Sequence, residues 1–443
     1  MASSTWLTGR AGMASQWWKM TPVDSGVQEA TEGKPPKCIT HVLHSDQRAG
    51  GVANMWSVTT VSKAFRVLLL LMLVAGGILT FHYSYDNKYL VRLQSATLRL
   101  VPQGFTQHQA LEHSPSGVAD GSGQSLPSWR KVVCKQRQYK THEGKKTPTL
   151  KQLFRDAMPE ENRNIFLMDT ACNPTPKFRV WCSVESWARQ NPERQVWFLL
   201  TSDRIEDNTG LSFTLLHQYA NLQVVTADLD DMFRDTPILL LFNERKWTKT
   251  WPVELLSDML RVLVLWWWGG VYSDTDVISV RTLTLPNNSL GFEHSYQLGS
   301  AFYSFQARHP ALYHLMRNML QYFEPGQWGS IGPIAITRVM EKICGEEMKM
   351  LIRRAPVTCP GNVTLFPQST FYPMLYSQFE YYFHPGNGNK FNETFSRSFA
   401  LHFWNKMSKN HLVKVNSNSV YEVVAKRFCP TTYLFATAES DVF

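Results

Sequence analysis

The sequence lacks the features that mark thiolate zinc-binding modules and nucleic-acid-binding modules. Its 443 residues include only seven cysteines, and no two of them are spaced as C-x-x-C, which argues against a zinc site built from thiolates. Only 18% of the residues are charged, and no run of Lys and Arg with interleaved aromatics accounts for the formal net charge of +9. Nucleic acid is therefore not expected as a partner.

One apolar run is long enough to cross a bilayer. Residues 67–85 contain no Asp, Glu, Lys or Arg over nineteen positions, close to the roughly 20 residues that a membrane helix needs. Because sixty-odd residues precede this run, we interpret it as an uncleaved signal anchor. The sequons at Asn287, Asn362 and Asn392 and six of the seven cysteines all follow it, which predicts an oxidising lumen on that side and a single-pass type II topology.

The regions on either side of this run show no helix or strand periodicity. Residues 1–66 are expected to form a disordered cytoplasmic tail. Residues 86–163 are rich in Gln, Ser, Gly, Pro and Lys, a composition typical of a flexible luminal stem. Residues 164–443 then remain as one catalytic domain with ample length for a large core.

Short apolar runs alternate with a helical pattern at the start of this domain. Asn164–Thr170, Val196–Leu200 and Leu222–Thr226 have the length of buried strands, and Cys182–Arg189 reads as a helix. The order β-α-β-α-β indicates an α/β domain whose parallel sheet carries helices on both faces. Thr170 follows the first strand, where the carboxyl end of a parallel strand commonly opens on a site.

The most informative stretch is LSDMLRVLVLWWWGGVYSDTD, residues 256–276. An amphipathic helix is stopped by Gly269 and Gly270, which can adopt a conformation that side chains resist, and a short strand follows. Asp274 and Asp276 come at strand spacing, so both carboxylates point the same way. Two convergent carboxylates suit one hard divalent cation.

Two further pairs of charged residues have competing interpretations. Asp258 and Arg261 lie three apart on the predicted helix, so they form either a simple ion pair or a pair that binds a polar ligand. Asp228 and Asp230 form a second D-x-D triplet. Because only a loop precedes Asp228, we expect a solvated helix start there and not a metal site.

The pattern S-D-x-x-R followed by G-G-V-Y-S-D-T-D resembles the α1,4-glycosyltransferase family with a DXD sugar-binding region. Further stretches resemble the same family, so the likeness spans about residues 164–433. These are VWCSVESWARQNP at 180–192, FRDTP at 233–237, HFWNK at 402–406 and CPTT at 429–432.

The resemblance implies a GT-A type nucleotide-sugar fold in the Golgi membrane. The implied reaction is retaining transfer of galactose, or N-acetylgalactosamine, from a UDP-sugar to the terminal sugar of a glycosphingolipid in α1,4 linkage. An α1,4-N-acetylglucosaminyltransferase acting on O-glycans remains an alternative, as does a catalytically silent Golgi lectin or chaperone of the same fold. Homo-oligomers and complexes with other glycosyltransferases are also compatible with the sequence.

The resemblance also implies roles for single residues. Mn²⁺ would be held by Asp274 and Asp276, with His402 or Asn405 as a further contact. Family members usually carry Asn where this chain has Gly299 and Gln where it has Ile331, so the choice of substrate can differ here. The implied donor-binding residues are Asp258, Arg261, Thr170, Asp274, Asp276 and Lys406.

The cysteines after the apolar run predict disulfides. Cys344 and Cys359 are fifteen apart in a basic, loop-like segment and are expected to pair with each other. The other four leave three possible pairings open, and these are Cys134, Cys172, Cys182 and Cys429.

Overall fold

The computed structural model describes residues 149–443 together with Trp129, Val133 and Cys134. The predicted tail, the anchor at 67–85 and most of the predicted stem lie outside the described residues. Within the described part of the chain, no helix is long and apolar enough to cross a membrane.

The described chain contains twelve strands. In chain order they are β1 (Lys151–Gln152), β2 (Asn164–Asp169), β3 (Gln195–Leu200), β4 (Leu222–Thr226), β5 (Gly270–Ser273), β6 (Val277–Ser279), β7 (Ser289–His294), β8 (Gln297–Leu298), β9 (Phe302–Phe305), β10 (Val357–Cys359), β11 (Val363–Phe366) and β12 (Ala400–His402).

Helices connect and cover these strands. They are α1 (Phe178–Gln190), α2 (Leu211–Gln218), α3 (Leu229–Phe233), α4 (Leu239–Glu244), α5 (Pro252–Trp268), α6 (Pro310–Gln321), α7 (Pro333–Cys344), α8 (Met348–Leu351), α9 (Phe391–Thr394), α10 (Asn405–Ser408), α11 (Val420–Phe428) and α12 (Pro430–Glu439). Short 3₁₀ turns lie at Lys246–Lys249, Ile352–Arg354, Gln368–Thr370, Tyr376–Tyr382 and Asn387–Lys390.

Ten of the strands form one mixed sheet in the order β1-β4-β3-β2-β5-β9-β7-β11-β10, with β8 beside β7. Strands β1 to β5 pair in parallel, as the alternating pattern predicts. From β5 onward the sheet changes, because β9 pairs antiparallel with both β5 and β7. The all-parallel sheet of the sequence prediction therefore describes only one half.

Two apolar layers cover the two faces of the sheet. Phe166 faces the layer that contains α5, whereas its neighbour Ile165 faces the layer formed by α1 and α11. This alternation is the two-residue period of a strand buried on both sides. Helix α5 is buried along most of its length, so it is the central support of the first layer.

The double glycine after α5 lets β5 enter the sheet immediately. Gly269 has φ of +61° and Gly270 has φ of +107°, which are backbone conformations that side chains disfavour. A Cβ on Gly270 would collide with the backbone of Asn164 in the adjacent strand. Glycine is thus required both for the turn and for the close approach of β5 to β2.

The folded domain begins before residue 164, which corrects the predicted boundary between stem and catalytic domain. Strand β1 pairs with β4, and Leu153 is fully buried. Trp129 is also buried in the first apolar layer. This boundary could not be predicted, because a two-residue edge strand is too short to show a period.

Three disulfides cross-link the described part of the chain. Cys344 pairs with Cys359, the pair that the sequence predicts. Of the three pairings left open for the other four cysteines, the structure contains the one that joins Cys134 to Cys172 and Cys182 to Cys429.

Candidate active site

Asp274 lies where the parallel and antiparallel halves of the sheet meet. It follows β5 directly, and its amide donates to the Ala301 carbonyl, 2.9 Å away, at the start of β9. The chain then turns, with the Val277 amide donating to the Asp274 carbonyl at 3.2 Å. Asp276 lies inside this turn, so both carboxylates project from one short segment at a strand end.

His402 reaches the same place from far along the chain. Strands β6 and β12 pair antiparallel with His402 opposite Val277, and the Phe403 amide donates to the Asp276 carbonyl at 2.9 Å. Nε2 of His402 lies 3.3 Å from Oδ2 of Asp276. The Asn405 amide donates to the same oxygen at 2.7 Å. The pairing of β6 with β12 is what brings His402 and Asn405 next to Asp276.

Helix α1 anchors the strand on which this pairing depends. The Ser183 hydroxyl and the Trp187 indole N–H both donate to the Val277 carbonyl, at 2.7 Å and 3.1 Å. Both side chains belong to the VWCSVESWARQNP stretch. Its spacing gave no hint of this contact, because the accepting group is a backbone carbonyl about ninety residues later.

Asp274, Asp276 and His402 form a compact set of potential metal ligands. One ligand atom from each lies within 4.8 Å of the others. Two carboxylates and an imidazole are a donor set that divalent transition ions accept, so the residues present fit such an ion. Thr170 and Lys406 are not members of this set, and Asn405 meets it through its backbone.

Asp276 and His402 each favour the charged form of the other. Burial by itself raises the pKa of Asp276, but His402 and the Asn405 amide outweigh it and the net pKa is lowered. Burial likewise lowers the pKa of His402, yet Asp276 outweighs it and the net pKa is raised. A cation placed between them would compete with this pair.

Arg261 connects the helix pair to the carboxylate cluster. Its guanidinium lies 3.0 Å from Oδ1 of Asp258 and 3.3 Å from Oδ1 of Asp274, and its side chain is only 6% exposed. Burial disfavours its charge, but Asp274 and other partners raise its pKa, so it stays cationic. Burial raises the pKa of Asp258 to about 6, although Arg261 opposes this. The pair is therefore a buried element of the site, not a surface ion pair.

Tyr272 is a site residue that our reading of the sequence missed. Its hydroxyl donates to Oδ1 of Asp274 and lies 3.1 Å from the Ser257 hydroxyl. The Arg261 guanidinium lies over its ring, 4.7 Å from the centroid. Its position two residues before Asp274 on a strand is the signal that could have revealed it, because residues i and i+2 share a face.

The other predicted donor residues have partners within the protein. The Thr170 hydroxyl donates to the Val253 carbonyl at 2.8 Å, which ties the end of β2 to the start of α5. Lys406 Nζ lies 2.8 Å from Oε1 of Glu254 and 4.6 Å from the ring centroid of Trp328.

The second D-x-D triplet occupies a different kind of place. The Asp228 side chain accepts from the Asp230 amide at 3.0 Å and caps α3. Asp230 is exposed, and neither residue belongs to the ligand set around Asp274. The predicted helix start is therefore what the structure contains.

Gly299 and Ile331, the two positions that depart from the family pattern, lie near the site. A Cβ on Gly299 would collide with the hydroxyl end of Tyr372, and that hydroxyl accepts from the Phe302 amide at 3.1 Å. Ile331 is fully buried. Its neighbour Gly332 packs so tightly that a Cβ there would lie 2.8 Å from the carboxylate oxygens of Asp258.

All three sequon asparagines are exposed. Asn287, Asn362 and Asn392 each lie at the surface, and each is followed at the second position by Ser or Thr. Their side chains are thus accessible to modification.

Comparison with known proteins places the chain in a family. Residues 177–296 match the glycosyltransferase sugar-binding region containing the DXD motif, and residues 304–436 match the alpha 1,4-glycosyltransferase conserved region. Lactosylceramide 4-alpha-galactosyltransferase of Rattus norvegicus is 33% identical over 275 residues, which cover 61% of this chain and 75% of the relative. The chain belongs to the α1,4-glycosyltransferase family.

Other relatives are consistent with that assignment. Lactosylceramide 4-alpha-galactosyltransferase of Homo sapiens is 33% identical over 275 residues, covering 61% of this chain and 76% of the relative. Alpha-1,4-N-acetylglucosaminyltransferase of Homo sapiens is 28% identical over 290 residues, covering 63% and 82%.

Membership in the family defines the class of the protein. The chain is a hexosyltransferase with a mixed α/β glycosyltransferase fold. The DXD region of this α1,4-glycosyltransferase contains Asp258, Arg261, Asp274 and Asp276, whereas His402 comes from the second conserved region. The ligand set is thus built from both regions.

Proposed function

We propose that this enzyme is a retaining transferase of GT-A type that moves galactose, or N-acetylgalactosamine, from a UDP-sugar to the terminal sugar of a glycosphingolipid in α1,4 linkage. The observation that carries the proposal is the ligand set of Asp274, Asp276 and His402 beside the buried Arg261. The names of the more similar relatives, which act on lactosylceramide, support this acceptor class.

The ligand set would hold Mn²⁺ through Asp274, Asp276 and His402. A divalent ion bound there supplies positive charge that stabilises a departing diphosphate. Around it, the Asn405 amide and the Tyr272 hydroxyl fix the two carboxylates by hydrogen bonds. The side chains are thus oriented before the donor arrives, which is how electrostatic stabilisation avoids reorganisation during the reaction.

The remaining predicted residues would bind the donor around this centre. Asp258 is held by Arg261 and can accept from hydroxyls of the donor sugar. Thr170 would lie near the nucleotide, at the carboxyl end of β2. Lys406 would contact the diphosphate only after leaving Glu254, its partner at 2.8 Å.

We further propose a Golgi membrane location with the type II topology inferred from the sequence. The anchor at 67–85 would place the domain at a surface where glycolipid acceptors reside, and the exposed asparagines at 287, 362 and 392 would carry glycans. Treatment of the secreted-pathway protein with an N-glycosidase should lower its apparent mass. An unchanged apparent mass would contradict the proposed type II topology.

The function is tested by a donor panel. Full-length protein in detergent is incubated with Mn²⁺ and UDP-galactose, UDP-N-acetylgalactosamine or UDP-N-acetylglucosamine, with and without lactosylceramide. We expect transfer from one of the first two donors, and transfer reduced about 10²–10³-fold in Asp276→Asn. Turnover only with UDP-N-acetylglucosamine would favour the other activity in this family, a possibility raised by the 28% identical relative.

A further inference from the structure

Two tryptophans form an open aromatic corner near the site. The rings of Trp251 and Trp328 meet edge to face, with centroids 5.2 Å apart and planes at 86°. Trp328 is still 48% exposed, so its ring is not used by the core. A contiguous pair of tryptophan rings open to solvent is a different case from a single exposed hydrophobic residue, because contiguous apolar surface commonly marks a binding site.

Charged side chains border this corner. Lys406 Nζ lies 4.6 Å from the Trp328 centroid and 2.8 Å from Oε1 of Glu254. Both charged side chains are substantially exposed, at 55% and 39%. An indole beside an accessible carboxylate and ammonium combines an apolar face with hydrogen-bonding groups, which is what a sugar ring with its C–H face and hydroxyls requires.

The corner is connected to the ligand set by two routes. Asn405 donates its amide to Asp276, and Lys406 is the next residue. Along α5, Glu254, Asp258 and Arg261 recur at one face, and Arg261 reaches Asp274. Seven residues of helix rise about 10 Å, so Glu254 at the corner and Arg261 at the ligand set are separated along α5 by more than one sugar ring.

We propose that the Trp251–Trp328 corner is a subsite for a sugar ring of the acceptor glycan, with Glu254 as its polar border. This inference rests on the proposed function, because it is the donor site beside Asp274 that makes an adjacent sugar subsite an acceptor subsite. Its position favours a glycan occupant, since the charged border and the ligand set lie on the same side of the helix as the corner.

Full-length protein in detergent tests this with Trp328→Ala, Trp251→Ala and the conservative Trp328→Phe. The acceptors are a water-soluble alkyl β-lactoside and lactosylceramide, with the active UDP-sugar and Mn²⁺. We expect Trp328→Ala to raise the acceptor KM about tenfold for both acceptors, with little change in kcat or in the donor KM, and Trp328→Phe to restore most of the loss. Phe213, an exposed aromatic on α2 that stacks on His217, provides the matched control as Phe213→Ala.

The outcomes separate this subsite from the proposed function. An unchanged acceptor KM in a Trp328→Ala enzyme that turns over normally overturns the subsite and leaves the function intact. A higher KM for lactosylceramide but not for the soluble lactoside also overturns it, because the corner would then contact the lipid part of the acceptor. Absence of transfer by the unmodified protein to either acceptor overturns the function itself. In that case, saturation-transfer NMR of the lactoside with the unmodified and Trp328→Ala proteins decides the subsite: equal signals reject it, and loss in the variant supports it.

Discussion

Two D-x-D triplets in this chain have the same spacing and unlike surroundings. Asp228 accepts from the amide of Asp230 and caps a five-residue helix, so this triplet is satisfied by its own segment. Asp274 and Asp276 instead contact groups from α5, from β12 and from the turn after it. The comparison teaches that convergence of partners from distant segments, and not motif spacing, distinguishes a site from a helix cap.

Removal of divalent metal should produce the largest difference between the triplets. If the set at Asp274 holds an ion needed for the reaction, excess chelator should abolish transfer, and added Mn²⁺ should restore it. The measurement is sugar transfer by full-length enzyme before and after dialysis against chelator. Full activity in chelator would contradict a metal role for Asp274 and Asp276.

Removing the charge of one carboxylate should have the next largest effect on activity. Asp274→Asn and Asp276→Asn should each lower kcat by about 10²–10³-fold, the typical effect of losing one strong electrostatic contact. Unchanged thermal melting would show that the variants fold, and high Mn²⁺ should partly rescue the weaker one. Near-normal turnover by a folded Asp276→Asn protein would reject the assignment of metal binding to this triplet.

Substitution of His402, the third member of the candidate ligand set, should have a smaller effect on activity. His402→Gln keeps a polar side chain but removes the imidazole, so the Mn²⁺ concentration for half-maximal activity should rise about 10-fold or more. His411→Gln is the control, because the His411 side chain is 39% exposed and lies near Glu380. Equal metal dependence of both variants would remove His402 from the ligand set.

Substitution of the buried Asp258, which contacts the site triplet through Arg261, should change the stability of the protein. Its pKa of about 6 exceeds the ordinary 3.8, so the protonated form favours folding, and this stability is lost as pH rises from about 3.8 through about 6. In chelator at pH 7.5, Asp258→Asn should therefore be more stable than the unmodified protein, by about 1–3 kcal/mol at most. The difference in melting temperature should shrink toward pH 4, and a large loss of stability at pH 7.5 would contradict the argument.

The smallest effects are expected at the other triplet. Asp228→Asn and Asp230→Asn should retain most activity and the normal metal dependence, because Asn caps a helix nearly as well as Asp. Transfer assays across a Mn²⁺ titration measure both properties. A collapse of activity at Asp228 would mean that the choice between the triplets was the wrong one.

Part of the fold was predictable because its signals are local. β2, β3 and β4 are short segments dominated by apolar residues, α5 ends in a long apolar run, and Gly269–Gly270 ends the helix where expected. The other half, which mixes antiparallel pairs with the parallel pair of β7 and β11, was not predictable, since β8, β9 and β10 have only two to four residues and are too short to show a period. β1 was missed for the same reason.

The site divides in the same way. Asp274 and Asp276 share one segment, so their convergence follows from strand geometry alone. The arrival of His402 depends on the pairing of β6 with β12, which no local pattern encodes. The ties of Thr170 to Val253 and of Lys406 to Glu254 are likewise tertiary contacts that spacing cannot reveal.

The pairing of β6 with β12 has a consequence for biosynthesis. A ribosome delivers the chain from its amino terminus, so Asp276 emerges well before His402 and Asn405, its partner 129 positions later. Cys182 must wait still longer for Cys429, 247 residues away. A nascent or prematurely ended chain can therefore build the parallel half of the sheet while the candidate ligand set of Asp274, Asp276 and His402 remains incomplete.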